Sequence, residues 1–423
     1  MTFRIITLGC KANQADSAGI SALLERKGYT SVKEALADIV IINTCAVTGE
    51  SAKKSRSLIR RAKKENPGAF VAICGCFSEL SPEEVADLEA DLVAGSKNRE
   101  GFVQALLKEV RGEDYVLEAV NTETFEVLPA GNVAEKTRAL LKVQDGCENF
   151  CTYCIVPYAR GQVRSMPLED AVLAAKGIAE QGYKELVVTG IEISSWGKEF
   201  GGDLVHLLGE ICKTVPRVRV RLGSLEPRSI TEDFCETLKQ YENLAPHFHL
   251  SLQSGSDSIL EKMGRKYNTE RYLKSVFLLG KHFSGANITT DIIVGFPGEG
   301  EGEFEETVAF VKKCGFSQVH VFPYSKREGT KAAEMQGMVP QEEKARRSKV
   351  LRQVVKQIQE DFLQKQLGQQ LSVLFEKQEN EIASGYSLHY CQVEVKTEEK
   401  LTNQVKLVAI QEIRDGKLVG YLI

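Results

Sequence analysis

Three cysteines lie close together near the middle of the chain, in the run CENFCTYC that holds Cys147, Cys151 and Cys154 (the loop triad). Three thiolates on one loop can each bind one iron of a 4Fe-4S cluster, which leaves the fourth iron open to another ligand. A structural zinc site needs a fourth protein ligand, usually in a second closely spaced cysteine pair, and this run offers none. The chain has 11 cysteines, an odd number that argues against a disulfide framework. The spacing predicts an iron-sulfur site, with zinc and buried free thiols as the alternatives.

Three further cysteines, near the N-terminus, each follow a short apolar run. Cys10 stands in TLGCKANQ, Cys45 in INTCAV and Cys76 in ICGCFSE (the strand triad). If the apolar runs are strands of a parallel sheet, their carboxyl ends share one edge, where ligands bind. The three thiols then converge although they are far apart in sequence. Buried cysteines are common beside strands, so ordinary packing is the alternative, and Cys74 borders the same third strand.

The elements that must position these cysteines follow from the hydrophobic pattern. In the first hundred residues, continuous apolar runs alternate with helical periodicity, which is typical of a doubly wound parallel sheet. The predicted strands are 3–8, 38–43, 70–74 and 91–94, and the predicted helices are 12–27, 51–64 and 82–88.

The alternation returns after residue 140 with a longer period. Six strands, each with room for a helix after it, indicate a partial (β/α)6 TIM-like barrel, whose active site lies at the carboxyl ends of the strands. They are predicted at 140–144, 185–189, 218–222, 247–252, 288–294 and 318–322. A polar helix over 341–367 follows. Short alternating strands at 371–375, 392–395, 404–413 and 418–422 then predict a small antiparallel β-barrel.

The expected α/β architecture therefore has four segments, of which three are folded domains and one is a linker. They are an N-terminal domain over 1–107, a linker over 108–136, a barrel domain over 137–366 and a C-terminal domain over 367–423. The 54 basic and 58 acidic side chains exclude a generally basic nucleic-acid binder, but not a local basic patch. No apolar run reaches the ~20 residues that cross a bilayer, and the N-terminus lacks a signal-peptide pattern. The sequence predicts a cytoplasmic protein with no membrane partner.

A local basic patch does occur, on the second predicted helix. It carries seven basic side chains and no acid over 53–64: Lys53, Lys54, Arg56, Arg60, Arg61, Lys63 and Lys64. At helical spacing several of them share a face that would suit phosphate oxygens. The helix directly follows Cys45, which favours RNA binding over the alternative of a solvated helix face.

Four stretches resemble the radical S-adenosylmethionine (SAM) methylthiotransferase family. They are KVQDGCENFCTYCIVPYARG (142–161), HFHLSLQSGSDSILEKMGRKY (247–267), DIIVGFPGE (291–299) and HVFPYSKREGT (320–330). The resemblance implies that the loop triad holds a 4Fe-4S cluster whose open iron binds SAM, and that reductive cleavage of SAM yields a 5′-deoxyadenosyl radical. It also implies a second 4Fe-4S cluster on the strand triad. The family's Gly-Cys pair after the third strand matches Gly75-Cys76, which favours Cys76 over Cys74.

The SAM pocket is predicted at the carboxyl ends of the barrel strands. The polar residues and glycines at these positions are Gly190, Glu192, Ser224, Glu226, Gln253 and Gly295. A glycine there allows the backbone to approach a ligand closely. For the polar residues, a hydrogen bond within the protein or a helix cap is the alternative, and the loop around Glu192 departs from the family's commoner form. The resemblance adds Tyr153 as an aromatic residue near the SAM adenine.

The run GCKANQ resembles the branch of the family that acts on tRNA N6-threonylcarbamoyladenosine, and the C-terminal strands resemble the TRAM domain, an RNA-binding module. The implied reaction puts a methylthio group at C2 of this nucleoside, at position 37 of the tRNA anticodon stem-loop. It consumes two equivalents of SAM and needs an external electron donor and a sulfur source. The alternative substrates are isopentenyladenosine-37 of tRNA and a ribosomal-protein aspartate. A non-catalytic iron-sulfur RNA-binding redox sensor is the alternative from another class.

Overall fold

The N-terminal region forms a five-stranded, wholly parallel sheet. The computed structural model describes residues 1–33, 36–88, 90–113, 123–129 and 137–423. The strands are β1 (Thr2–Thr7), β2 (Thr30–Ser31), β3 (Ile39–Thr44), β4 (Phe70–Gly75) and β5 (Leu92–Val93), in the order β2-β1-β3-β4-β5. The helices are α1 (Lys11–Arg26), α2 (Gly49–Glu65), α3 (Cys76–Leu80), α4 (Pro82–Ala86) and α5 (Arg99–Glu109). The predicted doubly wound sheet is confirmed; the two-residue β2 is too short to leave a periodic signal.

Strand β3 shows why this sheet has both faces covered. All of its residues, IVIINT, are buried. Val40 and Ile42 pack in one apolar cluster with residues of α2, whereas Ile39 and Ile41 pack in another with residues of α1 and α5. Successive side chains of a strand point to opposite faces, so two covered faces require the continuous apolar run seen in the sequence.

The central region is an open barrel of parallel strands. Its elements up to the fourth strand are β6 (Arg138–Lys142), β7 (Gln144–Asp145), α6 (Val156–Arg160), β8 (Arg164–Ser165), α7 (Leu168–Glu180), β9 (Glu185–Thr189), α8 (Leu204–Thr214), β10 (Arg219–Leu222), β11 (Ser224–Leu225), α9 (Glu232–Leu238) and β12 (His247–Leu250). The remainder are α10 (Asp257–Lys262), α11 (Thr269–His282), β13 (Asn287–Val294), α12 (Glu301–Cys314), β14 (Gln318–Pro323) and α13 (Gln341–Gln364). The six predicted barrel strands are all present, within two residues of their predicted bounds.

The barrel strands form two sheets, β10-β9-β6 and β11-β12-β13-β14. Only Gly223 separates β10 from β11, so one chain segment passes from the first sheet into the second. No described strand pairs with the outer edge of β6. Helix α1 lies against β6 instead, where the ammonium of Lys142 pairs with the carboxylate of Asp16. The N-terminal domain therefore packs on the open side of the barrel.

A closed five-stranded barrel ends the chain. Its strands are β15 (Gln370–Glu379), β16 (Ile382–Ser387), β17 (Gln392–Lys396), β18 (Val405–Arg414) and β19 (Lys417–Leu422), in the order β15-β16-β17-β19-β18. The pair β17–β19 is parallel and the other pairs are antiparallel, which differs from the expected antiparallel barrel. Five strands closed in a ring cannot alternate in direction all the way round. Strand β16 was not predicted, because Gly385 interrupts its apolar pattern; a Cβ there would lie 2.1 Å from the carbonyl oxygen of Leu374.

The C-terminal barrel is bound to the floor of the central barrel. Arg219 donates through Nη2 to the carbonyl oxygen of Ser372 at 2.8 Å. Arg221 donates through Nη1 to the carbonyl oxygen of Leu388 at 3.2 Å. Both arginines are buried strand residues of β10, so the two barrels share a polar interface.

The predicted linker over 108–136 is described only in part. Residues 114–122 and 130–136 lie outside the described residues, and 123–129 contain neither helix nor strand. The described part is anchored to the N-terminal domain: a Cβ on Gly19 of α1 would lie 2.6 Å from the Cβ of Leu128. The domain bounds stay predictions. None of the helices in the described part of the chain has the length and apolar content that a bilayer-crossing helix needs.

Candidate metal centres

The loop triad is held by backbone contacts on both sides. Gly146 precedes it with φ +75°, and a Cβ there would lie 1.8 Å from the carbonyl oxygen of Gln162. The amide of Cys147 donates to the carbonyl oxygen of Gly161 at 3.0 Å. The amide of Thr152 donates to the carbonyl oxygen of Met263 at 3.0 Å. The loop directly follows β7, at the carboxyl end of the first barrel strand.

Two thiols of the loop triad, those of Cys147 and Cys154, lie in surroundings that disfavour an uncompensated thiolate. Burial raises the pKa of Cys147, and it raises the pKa of Cys154 to about 12. Arg265 donates through Nη1 to Sγ of Cys151 at 3.2 Å. Although burial opposes its charge, nearby Tyr267, Tyr153 and Cys151 raise the pKa of Arg265. A bound cationic metal would supply the compensation that three thiolates need.

A cavity of about 140 Å³ opens beside the loop triad. Four predicted SAM-site residues line it: Tyr153, Glu192, Ser224 and Glu226. The other three predicted residues do not line this cavity; they are Gly190, Gln253 and Gly295. Asn149, Ser251 and Arg265 also line it and were not predicted, although all three lie in the family-like stretches over 142–161 and 247–267.

The residues outside the cavity lining have local structural roles. A Cβ on Gly190 would lie 2.8 Å from the carbonyl oxygen of Gln144, so this glycine allows two backbone segments to meet. Gln253 has φ +73° and its amide donates to the carbonyl oxygen of Asp291 on β13 at 2.9 Å. A Cβ on Gly295 would lie 2.4 Å from Cγ of Lys344, so this glycine makes room for α13.

Glu192 carries an oxygen that suits a ligand. Its Oε2 is hydrogen-bonded to Ser195 and lies 3.4 Å from Nδ2 of Asn149. Its Oε1 is buried and has no hydrogen-bond partner among the described residues. A buried acceptor without a partner is costly. An amino group of a ligand in the cavity would satisfy it, so the chain's own residues fit SAM at this place.

The strand triad converges as the strand positions predict. Cys10 is the N-cap of α1, Cys45 follows β3 and Cys76 is the first residue of α3. Sγ of Cys10 lies 3.9 Å, and Sγ of Cys76 lies 4.0 Å, from Oδ1 of the same side chain, Asn13. A Cβ on Gly9 would lie 2.8 Å from Sγ of Cys45, so a glycine is required at this approach.

Cys74 and Cys76 lie on opposite sides of the sheet. Cys74 packs in the apolar cluster with Ile41 and Phe102, and burial raises the pKa of its thiol to about 12. Cys76 belongs to the other cluster and lies at the sheet edge beside Asn13. This placement supports the assignment of Cys76 to the strand triad.

Arg160 connects the two triads. It ends α6, the short helix that follows the loop triad, and is 1% exposed. Its Nη2 donates to Oδ1 of Asn13, beside the strand triad, and its Nη1 lies 3.0 Å from Oδ1 of Asp145. Its Nε is buried without a partner among the described residues. Asn13 and Arg160 were missed from sequence because no spacing reveals their convergence; the only signal was their position inside family-like stretches.

The buried charges around Arg160 have a positive surplus. Four basic side chains surround the carboxylates of Asp16 and Asp145; they are Arg99, Lys142, Arg160 and Arg164. Glu126 is the one further acid paired with this group in the described chain. Surplus positive charge beside Cys10 and Cys76 would stabilise thiolates bound to a cluster.

In neither triad do the three sulfur atoms lie close together, as they would around a single metal ion. Among the described residues, the one group of potential ligands whose atoms all lie within 4.8 Å of one another is Glu232, Glu236 and His282. Around one tetrahedral zinc ion, cysteine sulfurs lie about 3.8 Å apart. In a 4Fe-4S cluster each thiolate binds a different iron, so the sulfurs lie further apart.

Known proteins share both the sequence pattern and the architecture. Residues 141–311 match the Radical SAM superfamily, and residues 2–95 match the uncharacterized protein family UPF0004. The chain is similar to the threonylcarbamoyladenosine tRNA methylthiotransferase MtaB of Thermotoga maritima, with 37% identity covering 92% of this chain and 90% of that protein. The MtaB protein of Bacillus subtilis is 36% identical, covering 96% of this chain and 92% of that protein. This chain belongs to the radical SAM methylthiotransferase family.

Two further similarities bear on this methylthiotransferase. The tRNA-2-methylthio-N(6)-dimethylallyladenosine synthase of Oceanobacillus iheyensis is 34% identical, covering 100% of this chain and 84% of that protein. The radical SAM methyltransferase TsrM of Kitasatospora setae, with cobalamin and a [4Fe-4S] cluster bound, has a TM-score of 0.61 and 15% identity, covering 78% of this chain and 77% of that chain. The structural similarity supports the fold, and the family membership makes the chain a transferase.

The basic helix α2 of the methylthiotransferase is partly neutralised by acids outside the acid-free run. Lys54 pairs with Glu50 at 2.8 Å and Arg61 with Glu65 at 3.0 Å. Arg56 pairs with Glu84 at 2.9 Å, and Lys63 with Asp91 at 2.8 Å. The remaining basic side chains are exposed and have no ion pair among the described residues; they are Lys53, Arg60 and Lys64.

Proposed function

We propose that this enzyme inserts a methylthio group at C2 of N6-threonylcarbamoyladenosine at position 37 of tRNA. The observation that carries the proposal is that helix α6 brings the two cysteine triads together. Ile155 and Ala159 of this segment pack in the same apolar cluster as Cys76 and Phe77. The source of a radical and the holder of a sulfur atom would then face one substrate. The names of the MtaB relatives support the choice of nucleoside.

The two triads would have different duties. When bound, a 4Fe-4S cluster on the loop triad supplies reductive cleavage of one SAM, and a second cluster on the strand triad holds the sulfur that another SAM methylates. Arg265 would neutralise Cys151, and the free Oε1 of Glu192 would accept a hydrogen bond from the amino group of SAM. Arg160 would hold charge beside the strand triad. The electron donor and the sulfur source are external partners.

A second cavity, of about 530 Å³, supports an RNA substrate. It lies between α2, α6 and the segment 326–329, and Arg56, Tyr158 and Arg327 are among its lining residues. Tyr158 is exposed and makes an edge-to-face contact with exposed Phe150, with 5.8 Å between ring centroids. Exposed aromatic rings stack on unpaired bases, and guanidinium groups bind phosphates. The anticodon stem-loop would enter here, with Lys53, Arg60 and Lys64 of α2 along its backbone.

The test is mass spectrometry of tRNA nucleosides from cells with and without this protein. We expect loss of 2-methylthio-N6-threonylcarbamoyladenosine and accumulation of its precursor without the methylthio group. Loss of the methylthio group from isopentenyladenosine-37 instead would overturn the choice of nucleoside; the Oceanobacillus relative makes this the second candidate. An unchanged nucleoside profile would overturn the tRNA proposal, and methylthiolation of a ribosomal-protein aspartate would then be measured. If that also failed while clusters were present, the non-catalytic redox sensor would gain support.

A further inference from the structure

Lys11 is a cation with no evident partner beside the strand triad. It is the first residue of α1 and directly follows Cys10. The side chain is exposed, yet protein surrounds it: its electrostatic neighbours include Arg138, Arg221 and Glu185, at the inner face of the central barrel. A side chain that is both accessible and surrounded in this way lies in an internal space rather than on the outer surface.

The acids near Lys11 are already committed to other cations. Glu185 accepts two hydrogen bonds from Arg221, at 2.7 Å and 2.9 Å. Glu376 of the C-terminal barrel pairs with Arg138 at 2.5 Å. Among the described residues, the ammonium of Lys11 makes no hydrogen bond and no ion pair. The internal space therefore holds one unneutralised ammonium group.

The floor of this space is aromatic and cationic. The ring of Tyr390 stacks on His247 with 4.5 Å between centroids, and Arg221 lies over the same ring at 4.7 Å. Arg138 donates through Nη1 to the hydroxyl of Tyr390 at 3.0 Å. The two arginines are paired, whereas Nδ1 of the uncharged His247 is buried without a partner among the described residues. A ligand reaching this depth would therefore meet Lys11 as the free charged group.

The proposed substrate carries the complementary charge. In N6-threonylcarbamoyladenosine the threonine is joined through its amino nitrogen, which leaves its carboxyl group free and ionised at neutral pH. That carboxylate is joined to the purine through N6 and the carbamoyl group, so a chain of several bonds separates it from C2. A cation that binds this carboxylate must therefore lie at a distance from the sulfur atom that is transferred to C2. The long side chain of Lys11 carries its charge away from Cys10 and into the barrel.

We propose that Lys11 binds the carboxylate of the threonylcarbamoyl group and so selects this nucleoside over adenosines with an uncharged N6 substituent. The inference rests on the proposed function and names the residue that gives it substrate specificity. Lys11 is a binding residue for the substrate and takes no part in SAM cleavage.

The experiment compares two anticodon stem-loops with the holoenzyme, one carrying N6-threonylcarbamoyladenosine and one carrying its threonine carboxamide. We expect the wild-type enzyme to favour the acid over the amide by about 10- to 100-fold in kcat/KM, the range of a charge-assisted hydrogen bond. Lys11→Gln should lose this preference, mainly through KM for the acid, and Lys11→Arg should retain most of it. Binding of the two stem-loops, followed by fluorescence anisotropy without reductant, should show the same pattern.

Lys27→Gln is the matched control, because Lys27 is an exposed lysine at the opposite end of α1. It should leave the preference unchanged. An equal loss on both stem-loops in Lys11→Gln, or an impaired formation of 5′-deoxyadenosine without RNA, would assign Lys11 to the clusters and overturn the inference. Equal use of acid and amide by the wild-type enzyme would overturn it even if the variant failed to fold. If the wild-type enzyme modified neither stem-loop, the proposed function would fall with it.

Discussion

The two cysteine triads reach similar arrangements by different routes. The loop triad is contiguous, and a few backbone hydrogen bonds around Cys147 and Thr152 hold its loop. The strand triad is collected from the ends of β1, β3 and β4, so it exists only when the register of the whole sheet is correct. The first can be read from spacing alone, whereas the second depends on the fold. Damage to one site is therefore local, and damage to the other can begin far from it.

The largest effects should come from removing a cysteine from either triad. Cys147→Ala should abolish the formation of 5′-deoxyadenosine, because the site of SAM cleavage is lost. Cys10→Ala should spare that reaction and stop sulfur insertion. Chromatography of 5′-deoxyadenosine and mass spectrometry of the RNA product separate the two results. Methylthiolation retained in Cys10→Ala would contradict the assignment of two clusters.

Substitution of Arg160, which lies between the two triads, should have the next largest effect. Arg160→Met removes a buried cation from Asp145 and Asn13, and we expect a loss of about 3 kcal/mol in the free energy of unfolding. Urea denaturation of the apoprotein measures it. The control is Arg346→Met, which removes an exposed guanidinium that pairs with Glu343 on the surface and should cost much less stability. Equal losses in the two variants would show that Arg160 does not couple the domains.

One glycine lies next to each triad, Gly146 at the loop triad and Gly9 at the strand triad. Their alanine variants allow a finer comparison of the two sites. Gly146→Ala places a Cβ against a backbone oxygen, whereas Gly9→Ala places one against the side chain of Cys45. Both sites have positive φ, which alone costs about 1–2 kcal/mol for an L residue. We expect each variant to lose iron mainly from its own triad after reconstitution, with the larger loss of stability in Gly146→Ala, as measured by iron content and urea denaturation.

Gly68→Ala is the control for this pair, because Gly68 has φ +84° and nothing within 4 Å of its added Cβ. It should show the cost of the backbone conformation without any loss of iron. Iron loss as large as in the other two variants would mean that general destabilisation, rather than local crowding, empties the sites.

The smallest effect should come from the basic helix beside the strand triad. Replacing the unpaired Lys53, Arg60 and Lys64 by alanine should weaken tRNA binding and reduce the slope of log K against log salt by about 2–3. The matched triple variant of Lys54, Arg61 and Lys63 removes the same charge from residues that already pair with acids and do not line the second cavity. It should change the slope less. If the variant of the paired residues changed the slope more than the variant of the unpaired residues, the RNA would bind to another face of the protein.

The sequence predicted the structure best where the signal was the spacing of one residue type or the hydrophobic pattern of a strand or helix. The loop triad followed from spacing, and the strand triad followed from apolar runs that end at a cysteine. The pairing of Arg56 with Glu84 and the meeting of Asn13 with Arg160 could not be predicted, because each joins residues far apart in the chain. Gly295 illustrates another limit: its position suggested a ligand, but the group it makes room for is Lys344.

The shared floor of the two barrels has a consequence for anyone who wishes to shorten this protein. Arg219 and Arg221 satisfy their guanidinium groups partly on carbonyl oxygens of the C-terminal barrel, and His247 is covered by Tyr390. If the chain were cut after α13, these buried groups would be exposed to water at the end of the central barrel. The last five strands thus close one end of the central barrel, and a truncated enzyme would expose this end to water while it kept all six cysteines of the two triads.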